Sequence, residues 1–235
     1  MINETLVSVI IPAYNEEKTI VDVLKKIRSL VLEGIRLEII VIDDSSVDNT
    51  LSLINQNSDL VDKILHLSKN SGKGAAVKAG LEHATGDFIL FQDADLEYDP
   101  SDYQTLLDPI RFHGAQVVMG SRLLFSKMTR VHYFWHRVGN HLITLIFNIL
   151  NNTTFTDVYS CYLVYQRNLL DPSSLRTVGW EQHAEILSKA VRKAKVIYEV
   201  AINYYGRTYD EGKKIRWFHV VVVIWSMIRF RLFSK

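Results

Sequence analysis

An open, largely parallel α/β sheet covered by helices on both faces is the fold class this sequence predicts, and three observations predict it. Short β-branched runs recur along the first half of the chain, segments with apolar residues at helical spacing separate them, and the residues just after each run are polar. Strands alternating with helices give parallel sheets, because each parallel connection needs a crossover long enough to hold a helix. Parallel strands buried on both faces read as continuous apolar runs.

Leu6–Ile11 is the first such run, closed by Pro12, and Leu37–Ile42 is the second, closed by Asp43 and Asp44. Between them, Glu16 to Leu30 sets Ile20, Val23, Leu24 and Ile27 on one helical face, which makes a βαβ unit with a right-handed crossover. Ser45 to Thr50 offer N-caps for a helix through about Asn57, Lys63–Leu67 makes a third strand, Gly74–Ala84 a helix and Phe88–Phe91 a fourth strand. After Pro100, a helix over Tyr103–Phe112 and a strand over Gln116–Met119 extend the sheet to Gly120-Ser-Arg122. Val138–Leu150 carries Leu142, Leu145, Ile146 and Ile149 on one helical face; a helix over Glu181–Arg192 and a strand over Ile197–Tyr204 follow.

The 235 residues, 48% of them hydrophobic, suit one substantial core. Lys plus Arg number 27 against 26 Asp plus Glu, a balance that argues against a nucleic-acid partner. The single cysteine, Cys161, excludes an internal disulfide and a Cys-rich metal site, so a reducing, cytoplasmic location is expected. No basic n-region or cleavage site precedes the first strand, so no signal peptide is expected. The apolar stretch Val220–Trp225 is far shorter than the ~20 residues a membrane span needs. We expect a catalytic domain over 1–212 and a tail over 213–235. The tail combines Trp217, Phe218, Trp225, Phe230 and Phe233 with Lys213, Lys214, Arg216, Arg229, Arg231 and Lys235. That composition predicts a C-terminal amphipathic helix, lying on a membrane surface or packed on the core or in a dimer interface. Oligomeric state is left open.

Ligands of open α/β sheets bind outside the carboxyl ends of the strands. The loops there are Pro12-Ala-Tyr-Asn-Glu16, Asp43-Asp-Ser-Ser46, Asn70-Ser-Gly-Lys-Gly74 and Asp93-Ala-Asp95. Asp93 and Asp95, two apart, would face one way in an extended segment and offer carboxylate oxygens to one hard cation; the alternative is a solvated acidic turn. Lys73, between Gly72 and Gly74, reads as a phosphate-reaching lysine or as a surface lysine in a turn. No G-x-G-x-x-G follows the first strand, which argues against a dinucleotide site.

Taken in order, Val9-Ile-Ile-Pro-Ala-Tyr-Asn-Glu-Glu17, Val41-Ile-Asp-Asp-Ser-Ser46, Gly72-Lys-Gly-Ala-Ala76, Asp93-Ala-Asp95 and Gly120-Ser-Arg122 resemble glycosyltransferase family 2. Gly179-Trp-Glu-Gln-His-Ala-Glu185 and Gly206-Arg-Thr-Tyr-Asp-Glu-Gly-Lys213 resemble later motifs of its dolichyl- and polyprenyl-phosphate sugar synthases. The resemblance implies a GT-A fold in which Pro12, Ala13, Tyr14 and Glu16 line a nucleotide pocket and Asp44 contacts the base. Lys73, Gln92 and Ala94 would join the nucleotide-sugar site. Asp93 and Asp95 would ligate Mg²⁺ or Mn²⁺, with Glu97 beside them where similar enzymes often carry Gln. Arg122 would grip a phosphate, with a structural salt bridge as its alternative role. Arg207 and Lys213 would hold the acceptor phosphate or close over the donor, with Gly212 standing where relatives commonly have Ser. Arg130 and Arg137 would add acceptor-phosphate contacts or form a solvated basic face, and Asp157 would sit at the site edge or cap a helix.

The activity so implied is metal-dependent, inverting transfer of a hexose from a nucleotide sugar of the GDP-mannose or UDP-glucose type to a polyprenyl phosphate. It would take place at the cytoplasmic membrane face. An ionised phosphate needs positioning rather than a strong base. The alternative, a saccharide hydroxyl, needs a carboxylate in reach, for which Glu181 and Glu185 are the candidates. A non-catalytic nucleotide-binding protein is the second alternative.

Overall fold

The computed structural model describes residues 4–124, 134–179, 181–206 and 223–229. The strands are β1 (Thr5–Ala13), β2 (Ile35–Asp43), β3 (Lys63–His66), β4 (Phe88–Phe91), β5 (Val117–Ser121), β6 (Leu163–Gln166) and β7 (Ile197–Ala201). The helices are α1 (Ile20–Arg28), α2 (Thr50–Gln56), α3 (Lys73–His83), α4 (Tyr103–His113), α5 (Phe134–Asn151) and α6 (Gln182–Lys193). The strands form one sheet in the order β3-β2-β1-β4-β6-β5-β7. All neighbours run parallel except β6, which is antiparallel to both β4 and β5. The largely parallel α/β sheet is therefore as expected.

The sheet is parallel because its first strands are apolar on both sides. Val7, Val9, Ile10 and Ile11 of β1 and Ile39 to Ile42 of β2 are fully buried, so both faces need covering. α3 packs on β1 and β2, and α4 on β5 and β7. Three features differ from expectation. α1 starts at Ile20 rather than Glu16, because Asn15 takes a left-handed φ of 54° and commits residues 14–19 to a loop. β7 stops at Ala201, and Tyr204 makes only an isolated bridge to Tyr98. β6 was not expected; it inserts between β4 and β5.

Arg130, Arg207, Lys213 and most of the tail lie outside the described residues. Residues 223–229 are helical, with Val223 and Met227 in the core and Trp225 64% exposed.

Near the amino ends of the strands a buried carboxylate joins three segments. Glu38 accepts from Ser8 Oγ at 2.5 Å, Lys63 Nζ at 2.8 Å, and Thr85 N and Oγ1 at 2.9 and 2.8 Å. Burial alone would raise its pKa; these donors outweigh burial and bring it from 4.5 down to about 2. A depressed carboxylate contributes stability above its unfolded pKa and loses it as pH falls through its folded one. Glu38→Gln is therefore expected to cost about 1–2 kcal/mol at pH 7. The difference from wild type should shrink as pH falls from 4.5 toward about 2, read by urea unfolding at a series of pH values.

Candidate active site

At the carboxyl edge each loop is tied to its neighbour by a side chain. After β1, Asn15 accepts from Val47 N at 2.9 Å and its own N–H donates to Ser46 Oγ at 3.0 Å, fastening that loop to the one after β2. Asp44 accepts from Ser71 N at 2.8 Å and Gly72 N at 2.9 Å, fastening the second loop to the third. Lys73 then reaches the fourth loop through an ion pair with Asp93. Glu97 accepts from Tyr204 Oη at 2.7 Å and, through its carbonyl, from Tyr205 N at 2.9 Å, so the fourth loop holds the segment after β7.

Glycine is needed where the third loop enters α3. Gly72 has a φ of 89°, a region side-chain-bearing residues avoid, and a Cβ on Gly74 would collide with the backbone of Val178. This close approach sets the first turn of α3 against the segment that leads into α6. Burial alone would disfavour the Lys73 ammonium, but the Asp93 carboxylate outweighs it and holds the lysine charged, above its ordinary pKa. Asp93 is held below the carboxylate range by the same pair.

Asp93 and Asp95 do not lie in an extended segment as expected. They enter a tight turn in which Asp95 accepts from Glu97 N at 3.0 Å and Leu96 takes a φ of 61°. The turn is held from below by Gln92, which is fully buried. Its Nε2 donates to the carbonyls of Asp93 (2.9 Å) and Tyr98 (3.3 Å), and its Oε1 accepts from Tyr103 (3.0 Å) and Tyr162 (2.8 Å). Gln92 thus supports the loop from beneath. Thr19 Oγ1 donates to the Ala94 carbonyl at 2.7 Å, tying the turn to the start of α1.

β6 supplies what the loops after the parallel strands lack. Being antiparallel, it delivers the residues before it, not after it, to the carboxyl edge. Asp157 there is fully buried and grips Arg122 through Nε at 2.7 Å and Nη2 at 2.9 Å, while the Arg122 backbone N–H adds a bond at 3.1 Å. Burial would raise Asp157; Arg122 and backbone donors outweigh it and keep the carboxylate ionised. Glu199 on β7 accepts from the N–H groups of Thr156 and Asp157 and fixes the loop behind them. The Arg122 guanidinium stacks 5.1 Å from the Tyr204 ring.

These loops enclose a cavity of about 100 Å³. Of the expected residues, Pro12, Lys73, Asp93, Glu97 and Arg122 line it. Arg122 makes the salt bridge given as its alternative role and also lines the cavity. Ala13, Tyr14, Glu16, Asp44, Ala94 and Asp95 are not among its lining residues, and Ala13, Asp44 and Ala94 are buried. Arg137 is exposed on α5. Glu181 accepts from Gly179 N at 3.3 Å. Glu185 is fully buried, bonded to the N–H groups of Arg176 and Thr177, to Thr177 Oγ1 and to Lys189 Nζ, so it anchors the 176–177 segment.

Ser160, Cys161, Gln182 and His183 also line the cavity and were not expected there. The usable signal was a glutamine and a histidine next to the buried apolar residues of α6. Burial first, and then the nearby Lys73 ammonium, pull the His183 pKa down to about 4, so its imidazole is neutral near pH 7. Burial and Asp93 push the Cys161 thiol up, keeping it protonated and hydrogen-bonded to Asp93.

The family model described as Glycosyl transferase family 2 matches residues 8–172. The chain belongs to this family. Over 210 residues it is 27% identical to a dolichol-phosphate mannosyltransferase of Pyrococcus furiosus, covering 88% of this chain and 58% of that protein. Over 231 residues it is 31% identical to a dolichyl-phosphate beta-glucosyltransferase of Saccharomyces cerevisiae, covering 86% of this chain and 67% of that one. The chain spans about half to two thirds of the length of the curated relatives it matches. Its fold is that of glucosyl-3-phosphoglycerate synthase from Mycobacterium tuberculosis, solved with Mn²⁺, UDP and glucosyl-3-phosphoglycerate. The two are 20% identical with a TM-score of 0.67, over 97% of this chain and 80% of that one. The GT-A architecture implied by the family's motifs is thus present.

Because Asp157 and Arg122 are buried together, removing one partner strands the other. Asp157→Ala is expected to destabilise by about 3–5 kcal/mol, and the double change Asp157→Leu with Arg122→Met to recover part of that loss. Thermal unfolding of the three proteins checks this.

Proposed function

We propose that this chain is the catalytic domain of a metal-assisted, inverting hexosyltransferase that uses a nucleotide sugar and a polyprenyl phosphate. The observation that carries the reading is the meeting, in one cavity, of Lys73 at the start of α3, Arg122 and the acidic turn of Asp93 to Glu97. A helix N-terminus with an adjacent lysine suits phosphate oxygens, because its N–H groups and dipole favour anions. Two relatives named for dolichol-linked transfer support the lipid acceptor.

The donor set fits a hard divalent cation. Carboxylate oxygens suit Mg²⁺ and Mn²⁺, and Mg²⁺ is commonly held by one or two carboxylates with phosphates and water completing its shell. Among the described residues no three His, Cys, Asp or Glu side chains converge to hold a metal ion unaided. Asp93 and Asp95 would hold Mg²⁺ or Mn²⁺, with Glu97 beside them, and the ion when bound neutralises charge on the diphosphate leaving group. Lys73 would turn from Asp93 toward the diphosphate, and Arg122, oriented by Asp157, would hold phosphate in line.

An acceptor phosphate oxygen then attacks the sugar C1 as the C1–oxygen bond to the diphosphate breaks; the electron pair leaves with the nucleoside diphosphate and the anomeric configuration inverts. The acceptor oxygen is already ionised, so the step needs no proton removed. Glu185, one of the two candidate bases for a saccharide hydroxyl, is engaged by four donors, which leaves Glu181 as the candidate for that alternative.

The reading puts the protein at a membrane surface on the cytoplasmic side, as a catalytic domain over 1–212 with a tail over 213–235. α5 supports this: Phe134, Trp135, Leu142, Leu145 and Ile149 are 46–76% exposed, an apolar face rich in aromatics, as interfacial helices have. Among the described residues no helix is long and apolar enough to cross a membrane.

The test is nucleoside diphosphate release from GDP-mannose and UDP-glucose with Mg²⁺ or Mn²⁺, with and without a short-chain polyprenyl phosphate. Stimulation by the lipid phosphate is expected, with at least about a 100-fold loss in Asp95→Ala. Release that ignores the lipid would turn the reading to a hydroxyl acceptor, and nucleotide binding without release to a non-catalytic protein.

A further inference from the structure

Five buried side-chain polar atoms have no hydrogen-bond partner among the described residues, and three of them belong to residues lining the cavity. They are Ser160 Oγ, Gln182 Oε1 and His183 Nε2; the other two, on Asp43 and Asn151, belong to residues outside its lining. Native proteins leave few such atoms unpaired, so three in one wall call for a partner from outside the protein, water or a bound ligand. The wall is well defined. Gln182 Nε2 donates to the Thr177 carbonyl at 2.8 Å, which orients the amide and leaves Oε1 as the unpaired end. Phe91 and Tyr159 hold the His183 ring edge to face, at 6.5 and 6.2 Å between centroids. Cys161, next to Ser160, hydrogen-bonds Asp93, so the wall adjoins the acidic turn.

We infer that Ser160, Gln182 and His183 form the subsite for the transferred hexose and select it through hydrogen bonds to its ring hydroxyls. This rests on the hexosyltransferase reading. The chemistry separates a sugar from a phosphate. A carbonyl oxygen such as Gln182 Oε1 repels phosphate oxygens, whereas a hydroxyl donates to it and accepts from a neighbouring donor in the same stroke. A serine hydroxyl, an amide oxygen and an imidazole nitrogen together match adjacent hydroxyls. A cavity of about 100 Å³ has room for several waters, and so for ring substituents. Sites built to pair a substrate hydroxyl reject the analogue that lacks it far more strongly than apolar pockets reject an extra methylene.

The experiment measures Kd by calorimetry, without acceptor, for UDP, GDP, UDP-glucose, GDP-mannose and their 2-, 4- and 6-deoxy analogues, in wild type, Ser160→Ala, Gln182→Met and His183→Asn. Wild type should bind the preferred sugar nucleotide more tightly than at least one deoxy analogue. Each variant should reduce that ratio at least about tenfold at one ring position. The Kd of the bare nucleoside diphosphate should stay within about twofold. Ser160→Ala should keep or raise Tm, since it removes an unpaired buried hydroxyl. Unchanged ratios in all three variants, an equal weakening of the bare nucleoside diphosphate, or a weakened Mn²⁺ Kd in His183→Asn would each overturn the subsite while leaving the transferase reading intact. A wild type that binds no sugar nucleotide would overturn both.

Discussion

A polar group at the end of a sheet buried on both faces must find a partner, and at the carboxyl edge of this sheet that requirement organises everything else. The strands themselves use their apolar residues for the core, so charges and amides gather where the strands stop. There Asn15, Asp44, Lys73 and Glu97 each join one loop to another, and Gln92 uses both ends of its amide beneath the acidic turn. A buried donor or acceptor left unmade costs about 1–3 kcal/mol, more for a charge, so the ties hold the loops in one arrangement. Such preorganisation is what the proposed transfer, with charge developing on a departing diphosphate, would need, because groups already in place do not have to be reoriented during reaction.

The same requirement explains the contrast within the cavity. On one side, Arg122 pairs with Asp157 and Lys73 with Asp93. On the other, Ser160, Gln182 and His183 hold polar atoms with no partner among the described residues. Charges cannot wait unpaired in a partly buried site, whereas a few neutral groups can at moderate cost. A site of the proposed kind, for a phosphate-bearing sugar, would thus have its ionic half paired within the protein and its neutral half available to ring hydroxyls.

Much of this was legible along the chain. β1 to β5, their helices and the four loops that follow the early parallel strands come from local pattern: apolar run, polar loop, helical face. Pro12, Lys73 and Asp93 were found by looking after each strand, Glu97 and Arg122 through the resemblance to the family's motifs, and each lines the cavity. Gln92 and Asp44 carry the expected residue types at the expected positions, but their bonds run to the protein's own loops, which pattern does not reveal. Glu185 shows the same limit, since a glutamate on a helix looks alike whether it faces solvent or anchors a buried turn.

The chain's local chemistry determined that there would be a parallel α/β sheet, an acidic turn after β4 and a lysine opening α3, because strand and helix periodicity and turn residues act over a few neighbours. Only the tertiary structure decided that β6, four residues long, would enter the sheet reversed between β4 and β5. A strand that short carries no sign of its direction, which is set by pairing with residues some 45 to 80 positions away. That reversal brought Asp157, Ser160 and Cys161 to the carboxyl edge from the side of a strand where a parallel fold would not put them, and with them part of the wall proposed to face the sugar.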